Sequence, residues 1–211
     1  AIVTATLTLS DPAVGSLNAA TSGAVTSTYN TGTGVWSAVG TIANVNTLLA
    51  GLTFTPALNF NGNFTIATNV SDGVATITGS KAVTGTPVND QPGFTATDPP
   101  AVGEDSGLQS LANWSTFNPG PADESMQTVL AYTVSDVSNP SLFSAGPTVA
   151  TNGTLIYTPA LNQFGTSTFQ VTVRDSGGGL NGGVDTSAAQ TFTITVNAVN
   201  EVPVLTANTL T

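Results

Sequence analysis

An internal repeat with the spacing of a whole domain constrains the fold of this 211-residue chain more than any other feature. The segment Leu52–Asn59 (LTFTPALN) recurs as Leu155–Asn162 (LIYTPALN). Two weaker echoes have different spacings: Thr8–Asp11 with Thr133–Asp136, and Val88–Pro92 with Val199–Pro203. Because a repeat of roughly 100 residues matches one domain and the spacings differ, the sequence predicts two related domains with loop insertions rather than a solenoid.

Alternating apolar and polar residues predict β-strands before and after each copy of the repeated segment. In the segment Gln190–Val196, Phe192, Ile194 and Val196 share one face, and the threonines between them share the other. Gly and Asn clusters such as Asn152-Gly153 separate these segments and favour turns. Only 7% of the residues are charged, so the usual charged helix surfaces cannot form, and we expect an all-β fold of packed β-sandwiches.

The echoes also predict the domain boundaries. We expect a first domain at 1–91, a second at 92–201 and a tail at 202–211. Because Asp11 corresponds to Asp136, nothing in the first domain matches residues 94–125, and this domain should lack its opening strand. The tail resembles the start of the second domain, so it is predicted to begin a following repeat or to act as a donor strand.

The charge composition excludes several classes of function. The net charge is −10 and the basic residues are Lys81 and Arg174 alone, so the chain cannot neutralise nucleic acid phosphates or an anionic membrane surface. The absence of Cys and His removes thiolate and imidazole metal sites and Ser-His-Asp catalysis. No apolar run reaches about 18 residues, so membrane insertion is not expected. The sequence therefore does not predict an enzyme.

Acidic and amide side chains concentrate in the second half and predict a calcium site near the domain junction. Loops cluster at the ends of a sandwich, so residues distant in sequence can meet there and offer the oxygen ligands that Ca²⁺ prefers. The candidate ligands are Asn89, Asp90, Glu104, Asp105, Asp123 and Glu124. The alternative interpretation is a solvated acidic region that keeps the protein soluble.

A glycine-rich segment, 176–183, provides a second candidate site. Asp175, Asn181 and Asp185 lie within or beside it and could add calcium ligands. The spacing lacks the closing Glu of an EF-hand loop. A long hairpin turn between two strands is the interpretation that the sequence favours.

The aromatic residues allow a third type of site. Trp36, Trp114 and the tyrosines could form a platform on which sugars stack. Aromatic side chains of β-sandwiches more commonly pack in the core. Carbohydrate binding is therefore kept only as an alternative function.

Several motifs of the second half follow a known family pattern. They are Glu104–Gly107 (EDSG), Gly120–Glu124 (GPADE), Asn152–Pro159 (NGTLIYTP), Asn181–Thr186 (NGGVDT) and Val199–Pro203 (VNEVP). These motifs resemble the cadherin-like, or Ig-like, tandem repeats of large bacterial surface adhesins of the RTX type. The resemblance implies Greek-key β-sandwiches strung end to end, calcium at their junctions, and an extracellular place on the bacterial surface or in a secreted protein.

The expected function is that of an extracellular structural or adhesion segment, a calcium-rigidified spacer in a surface adhesin or filament. Its partners are neighbouring repeats or subunits, head to tail, while other domains bind surface glycans or host proteins. One alternative is a fibre subunit that polymerises by strand complementation through its C-terminal tail. The other is a carbohydrate-binding module.

Overall fold

The computed structural model describes residues 1–203 and divides the chain into two compact units. The first unit is Ala1–Val88 and the second begins at Asn89. Both are built from β-strands, with one short α-helix among the described residues. The predicted all-β class with two sandwich-like domains is confirmed. The division falls three residues before the one placed at residue 91, so Asn89 and Asp90 belong to the second unit.

The first unit has one main sheet and two small ones. Its elements are β1 (Ile2–Leu9), β2 (Gly15–Leu17), β3 (Thr21–Ser22), β4 (Val25–Thr26), β5 (Thr28–Asn30), β6 (Val35–Thr41), α1 (Ile42–Ala50), β7 (Phe54–Pro56), β8 (Phe64–Ser71) and β9 (Thr76–Val83). The main sheet has the order β5-β6-β1-β8-β9 and is antiparallel throughout. Strand β2 pairs with β7, and β3 pairs with β4.

The core of the first unit follows from the alternation in β1 and β6. Ala5, Leu7 and Leu9 of β1 are buried, and Trp36 of β6 lies beside Leu7 in the pairing register and is fully buried. The indole Nε1 of Trp36 donates a hydrogen bond to the carbonyl oxygen of Asn18 at 3.1 Å. A buried indole N–H needs a hydrogen-bond acceptor, and this bond therefore holds the segment that leads into β3 against the core.

Helix α1 follows β6 directly. Thr41 caps its start by accepting a hydrogen bond from the Asn44 backbone N–H at 3.4 Å, and Gly51 ends it. Val45 and Leu48 are the buried residues of the helix and join the core. The region between β2 and β7 therefore adds two hairpins and a helix to the first unit.

The second unit contains three sheets. Its strands are β10 (Gly93–Thr95), β11 (Val102–Gly103), β12 (Gln109–Leu111), β13 (Thr116–Asn118), β14 (Val129–Ser135), β15 (Phe143–Val149), β16 (Leu155–Pro159), β17 (Gly165–Asp175) and β18 (Gln190–Asn197). The sheet orders are β11-β18-β17-β14, β12-β16-β15 and β10-β13. Strand β11 runs parallel to β18, and the other pairs are antiparallel.

The core of the second unit is aromatic and closely packed. Phe169 of β17 and Ile194 of β18 are fully buried, and Trp114 packs edge-on against Phe192 with ring centroids 4.8 Å apart. Burying side chains of this size stabilises the fold by about 1.5–3 kcal/mol each. The long strand β17, which lies between β18 and β14, therefore contributes to the centre of this core.

The repeated segment occupies the same place in both units. It forms β7, which pairs with β2, and β16, which pairs with β15. In the second unit β11 covers the outer edge of the last strand, β18, whereas within residues 1–88 the last strand, β9, pairs with β8 alone. No strand among residues 1–88 takes the place of β11, as the prediction of a missing opening strand requires. The predicted role of the tail concerns residues 202–211, of which 204–211 lie outside the described residues.

Candidate functional site

A buried carboxylate lies at the end of β17. Asp175 is fully buried, and its carboxylate accepts hydrogen bonds from the Asn89 side-chain amide at 3.2 and 3.4 Å. The backbone N–H of Gly177 donates to the same carboxylate at 2.9 Å. Neutral donors therefore satisfy this charge, although a buried charge is expensive without an opposite one nearby.

Asn89 ties the start of the second unit to two loops. Its backbone carbonyl accepts from the Val184 N–H at 2.9 Å, and its side-chain amide donates to the Val184 carbonyl at 2.8 Å. Its side-chain oxygen accepts from Gln127 Nε2 at 2.6 Å. Asn89 is thus held between the glycine-rich loop and the turn that contains Gln127.

A second buried carboxylate lies in that turn. Glu124 ends the 3-10 turn Ala122–Glu124 and is only 6% exposed. One carboxylate oxygen accepts from the Asp90 backbone N–H at 2.6 Å, while the other is buried without a partner in the described part of the chain. The side-chain oxygen of Gln127 is also buried without a donor there. Unpaired buried oxygens of this kind favour cation binding, because a cation would provide the positive charge that no hydrogen-bond donor provides here.

Gly120 leaves the room that Glu124 occupies. Its φ is +130°, and a Cβ built there would collide with the unpartnered oxygen of Glu124. A side chain at this position would therefore displace the carboxylate. The Gly120–Glu124 motif therefore needs glycine at its first position, because any larger residue there would take the space of the Glu124 carboxylate.

Side-chain cations do not neutralise this region. Arg174 is the only Lys or Arg after Asn89, and its Nε lies 3.4 Å from the Asp185 carboxylate. The backbone N–H of Asp175 donates to the Asp185 carbonyl at 2.9 Å, so Asp185 lies next to the buried site. Asp175 and Glu124 therefore have no ion-pair partner within the described residues of the second unit.

Glu104 and Asp105 lie elsewhere in the second unit. Glu104 is 6% exposed and accepts from the Val199 N–H at 2.9 Å, and Asp105 accepts from the Asn162 N–H at 3.2 Å. A hydrogen bond to Asp105, together with the negative charges of Asp105 and Glu104, raises the pKa of Glu201 above its ordinary value. These acids form their own group around the end of β18.

The two acidic groups lie at opposite ends of β17. Glu104 bonds to Asn197, next to the residue that pairs with Gly165 at the start of β17, while Asp175 ends the strand. The first and last of the 11 residues of β17 are ten steps apart, or about 33 Å at ~3.3 Å per step. The structure therefore does not bring Glu104 and Asp105, predicted for the same site as Asn89 and Asp90, together with those two residues, because the sandwich places their loops at different ends.

The remaining predicted ligands are dispersed. Asp123 is exposed, although Glu124 beside it in the same 3-10 turn is buried. Asn181 is exposed in the glycine-rich loop. The described residues contain no group of three or more acidic side chains arranged to hold a metal. Sequence analysis did not identify Gln127 as a site residue. Its position three residues after Glu124 was the sequence feature that pointed to it.

The aromatic side chains serve the cores. Trp114 Nε1 donates to the Thr97 carbonyl at 2.7 Å while its ring packs on Phe192. The Tyr132 hydroxyl accepts from the Ser115 hydroxyl at 2.9 Å. Tyr157 is fully buried, and burial raises the pKa of its hydroxyl. These contacts leave little of the rings for stacking on a sugar.

The strand order, the two packed cores and the repeated segment together define a pair of Ig-like, or cadherin-like, β-sandwich units. The bacterial Ig domain family matches residues 89–197, more than half of the chain. The chain therefore belongs to the bacterial Ig domain family. No curated protein sequence matches it.

Solved structures agree with this class at low sequence identity. Human protocadherin-24 EC1-2, form II, is 17% identical, with a TM-score of 0.51 over 92% of this chain and 84% of that one. Mouse cadherin-23 EC22-24 is 14% identical, with a TM-score of 0.43 over 92% and 53% of the two chains. The first of these shows a shared fold, and the second is too distant to support an argument. No helix among the described residues has the length and apolar character needed to span a membrane.

Proposed function

We propose that this chain is an extracellular structural segment, a spacer in a bacterial surface adhesin or filament that positions other domains. Membership in the bacterial Ig domain family supports an extracellular, adhesion-type role. The partners are then neighbouring repeats of the same protein or subunits of the same fibre. The chain works by holding shape rather than by converting a substrate, in keeping with its lack of His and Cys.

Calcium binding at the start of the second unit is part of this proposal. The observation that carries it is the buried Glu124 carboxylate, which has one oxygen bonded to Asp90 and the other without a partner. Asp90, Glu124 and Asp175 would supply carboxylate oxygens, and Asn89 its amide oxygen. A bound dication would offset the repulsion among these carboxylates.

The mechanical consequence concerns the segment at Asn89 and Asp90. At present this segment is held to the second unit by hydrogen bonds from neutral donors. Calcium would add charged bonds to the same residues and would hold the segment more firmly. Removal of calcium would loosen it, and a spacer made of such units would become more flexible.

The test compares two glutamates with the same 6% exposure, Glu124 and Glu104, in calcium and in chelator. At about 100 times the dissociation constant, calcium should stabilise the second unit by about 2.7 kcal/mol. Amide exchange at Asp90 and Val184 should slow with calcium in the wild type and in Glu104→Gln, but not in Glu124→Gln. Without calcium Glu124→Gln should be at least as stable as the wild type, because it removes a buried uncompensated charge. Equal calcium responses of the two variants would disprove this site.

A second candidate function is assembly by strand addition. Strand β9 is exposed along almost its whole length, and its outer edge has no partner within residues 1–88. A long open edge is a template for another strand. The proposed donor is the segment 202–211 of another copy, which would complete the first unit of its neighbour.

Sedimentation of the full chain over a concentration series tests strand addition. Assembly that grows with concentration and disappears on deletion of 204–211 would support it. Ile77→Lys in β9 is the second probe, because Ile77 is 77% exposed and its replacement should not disturb folding. A chain that stays monomeric at all concentrations, or one whose assembly ignores both changes, would rule it out.

A further inference from the structure

Three Asn-Gly pairs occur in this chain, and the structure gives them very different environments. They are Asn61-Gly62, Asn152-Gly153 and Asn181-Gly182. In such a pair the glycine nitrogen can attack the asparagine side-chain carbon and close a five-membered succinimide. Glycine permits this because it has no side chain to block the approach and its backbone moves freely. The local structure therefore decides which pair reacts.

Asn152-Gly153 is locked in a tight turn. The Gly153 N–H donates to the Ala150 carbonyl at 2.8 Å, and the Asn152 side-chain oxygen accepts from the Thr154 N–H at 3.1 Å. Gly153 is buried, and its carbonyl accepts from the Ser115 N–H at 3.0 Å. Reaction here requires this turn to open, and such local opening costs free energy.

Asn61-Gly62 is partly restrained. Both residues are half-buried, and the Asn61 side of the turn lies close to Gly85, where an added Cβ would collide with the Asn61 carbonyl. The neighbouring Asn63 side chain accepts from the Gly85 N–H at 3.2 Å. This pair should react at an intermediate rate.

Asn181-Gly182 is the least restrained of the three. Both residues are exposed, and the Asn181 side chain makes no hydrogen bond with the part of the chain that the structure describes. Three glycines precede the short turn at Leu180 and two follow Asn181. The loop is held at its base by Asp175 bonding to Asp185 and by Val184 bonding to Asn89. One hydrogen bond, from the Gly183 N–H to the Leu180 carbonyl at 3.0 Å, closes the turn around the pair, but this turn is exposed whereas the turn at Gly153 is buried.

We propose that Asn181 is a site of spontaneous deamidation that the fold leaves open while it protects the other two. The Gly182 nitrogen loses its proton and bonds to the Asn181 side-chain carbon, and the bond from that carbon to the amide nitrogen breaks with release of ammonia. Water then opens the succinimide to aspartate or isoaspartate. Water is the only co-reactant, and no oxidant or reductant is needed.

The product changes the surface next to the buried carboxylates. It adds one negative charge to a loop whose base contains Asp175 and Asp185. In the isoaspartate form the main chain also passes through the former side-chain carbon and becomes longer. Because Val184 of the same loop bonds to Asn89, the change reaches the segment that positions Asn89. This inference holds whether or not calcium binds there.

The experiment ages the full chain in mildly alkaline buffer and follows each Asn-Gly pair by peptide mass spectrometry. In the folded protein Asn181 should be converted at least about tenfold faster than Asn152, with Asn61 between them. In denaturant the three rates should agree within about twofold, because the fold no longer protects any pair. Equal rates in the folded protein, a faster Asn61, or the same ratio in denaturant would overturn the proposal.

Two variants sharpen the assignment. Asn181→Gln should abolish the conversion at this position and leave the rate at Asn61 unchanged. Asn181→Asp should elute on anion exchange with the aspartate form of the aged wild type. Continued formation of that aged species in Asn181→Gln would show that another residue is modified, which would also overturn the proposal.

Discussion

The two units share a set of strands but close its edges differently. Strands β1, β2, β7, β8 and β9 of the first unit correspond to β14, β15, β16, β17 and β18 of the second. In the first unit β6 covers the outer edge of β1 while β9 is open. In the second unit β11 covers β18, and the outer edge of β14 has no partner strand among residues 89–203. Beside β14 lies a cleft lined by Tyr132, Val134 and Pro147.

This difference shows that the shared set of strands can be covered by an additional strand at either edge of its main sheet. The covering strand of the first unit comes from the region between β2 and β7, which in the second unit is only a short turn at 150–154. The longer segment of the first unit therefore contains both the covering strand β6 and the buried Trp36. In each unit one outer edge of the main sheet is covered by an additional strand.

The largest expected contrast concerns two isoleucines in the corresponding last strands. Ile194 of β18 is fully buried and Ile77 of β9 is 77% exposed. Ile194→Ala should cost about 2–5 kcal/mol of unfolding free energy, whereas Ile77→Ala should change it by less than about 0.5 kcal/mol. Denaturation can be followed separately, since Trp36 reports the first unit and Trp114 the second. Similar costs at both positions would show that β9 is covered in solution.

Two glycines with left-handed backbones should give the next largest contrast. Gly153 has φ +79° and a Cβ there would collide with the Ser115 carbonyl, whereas Gly73 has φ +90° and open space around it. Gly73→Ala should cost about 1–2 kcal/mol for backbone strain alone. Gly153→Ala should cost a further 1–3 kcal/mol, roughly, for the overlap. Equal melting shifts of the two variants, each measured in its own unit, would contradict this steric account.

Acid should act on the two units in opposite directions, with the smallest effects. Hydrogen bonds from the Ala75 and Val74 N–H groups lower the pKa of Asp72, so its contribution to the first unit is lost as the pH falls through that lowered pKa. The pKa of Glu201 is raised, so its contribution to the second unit is present at low pH and is lost as the pH rises through the raised pKa.

Melting curves recorded against pH for each tryptophan test these signs. Asp72→Asn should remove the acid sensitivity of the first unit that is due to this turn. Glu201→Gln should slightly raise the stability of the second unit at neutral pH. A Glu201→Gln variant that lowers this stability would mean that the carboxylate is favourable where it lies.

The strands were predicted from the alternation of apolar and polar residues, which is a local pattern. The missing counterpart of β11 in the first unit was predicted by comparing the two repeated halves. The sequence did not predict β6 as a covering strand, since nothing local shows which edge an inserted hairpin will join. Asp72 and Asp175 have the same spacing as the repeated segment Leu52–Asn59 and Leu155–Asn162 and so look equivalent in the sequence. The sheet registers instead match Ile66 with Val171, and the two aspartates differ fully in burial.

The calcium site stays a prediction, but the structure shows where its residues lie. Asn89, Asp90 and Glu124, which were predicted for one site, lie together with Asp175, which was predicted for another, because a sandwich gathers its loops at its ends. Glu104 and Asp105 lie at the other end of β17, and a sequence shows where loops occur but not the end of the sandwich to which each loop belongs. The different burial of Asp123 and Glu124 depends on a single turn and on the space beside Gly120.

Calcium titration of the full 21.0 kDa chain, followed by the backbone amide resonances of each residue, tests the central claim most directly. The account predicts saturable shifts at Asp90, Gly177 and Val184 in the second unit, with the resonances of 1–88 unchanged. Shifts confined to the first unit, or no shifts at all, would contradict the claim that the buried carboxylates of Glu124 and Asp175 in the second unit bind a cation.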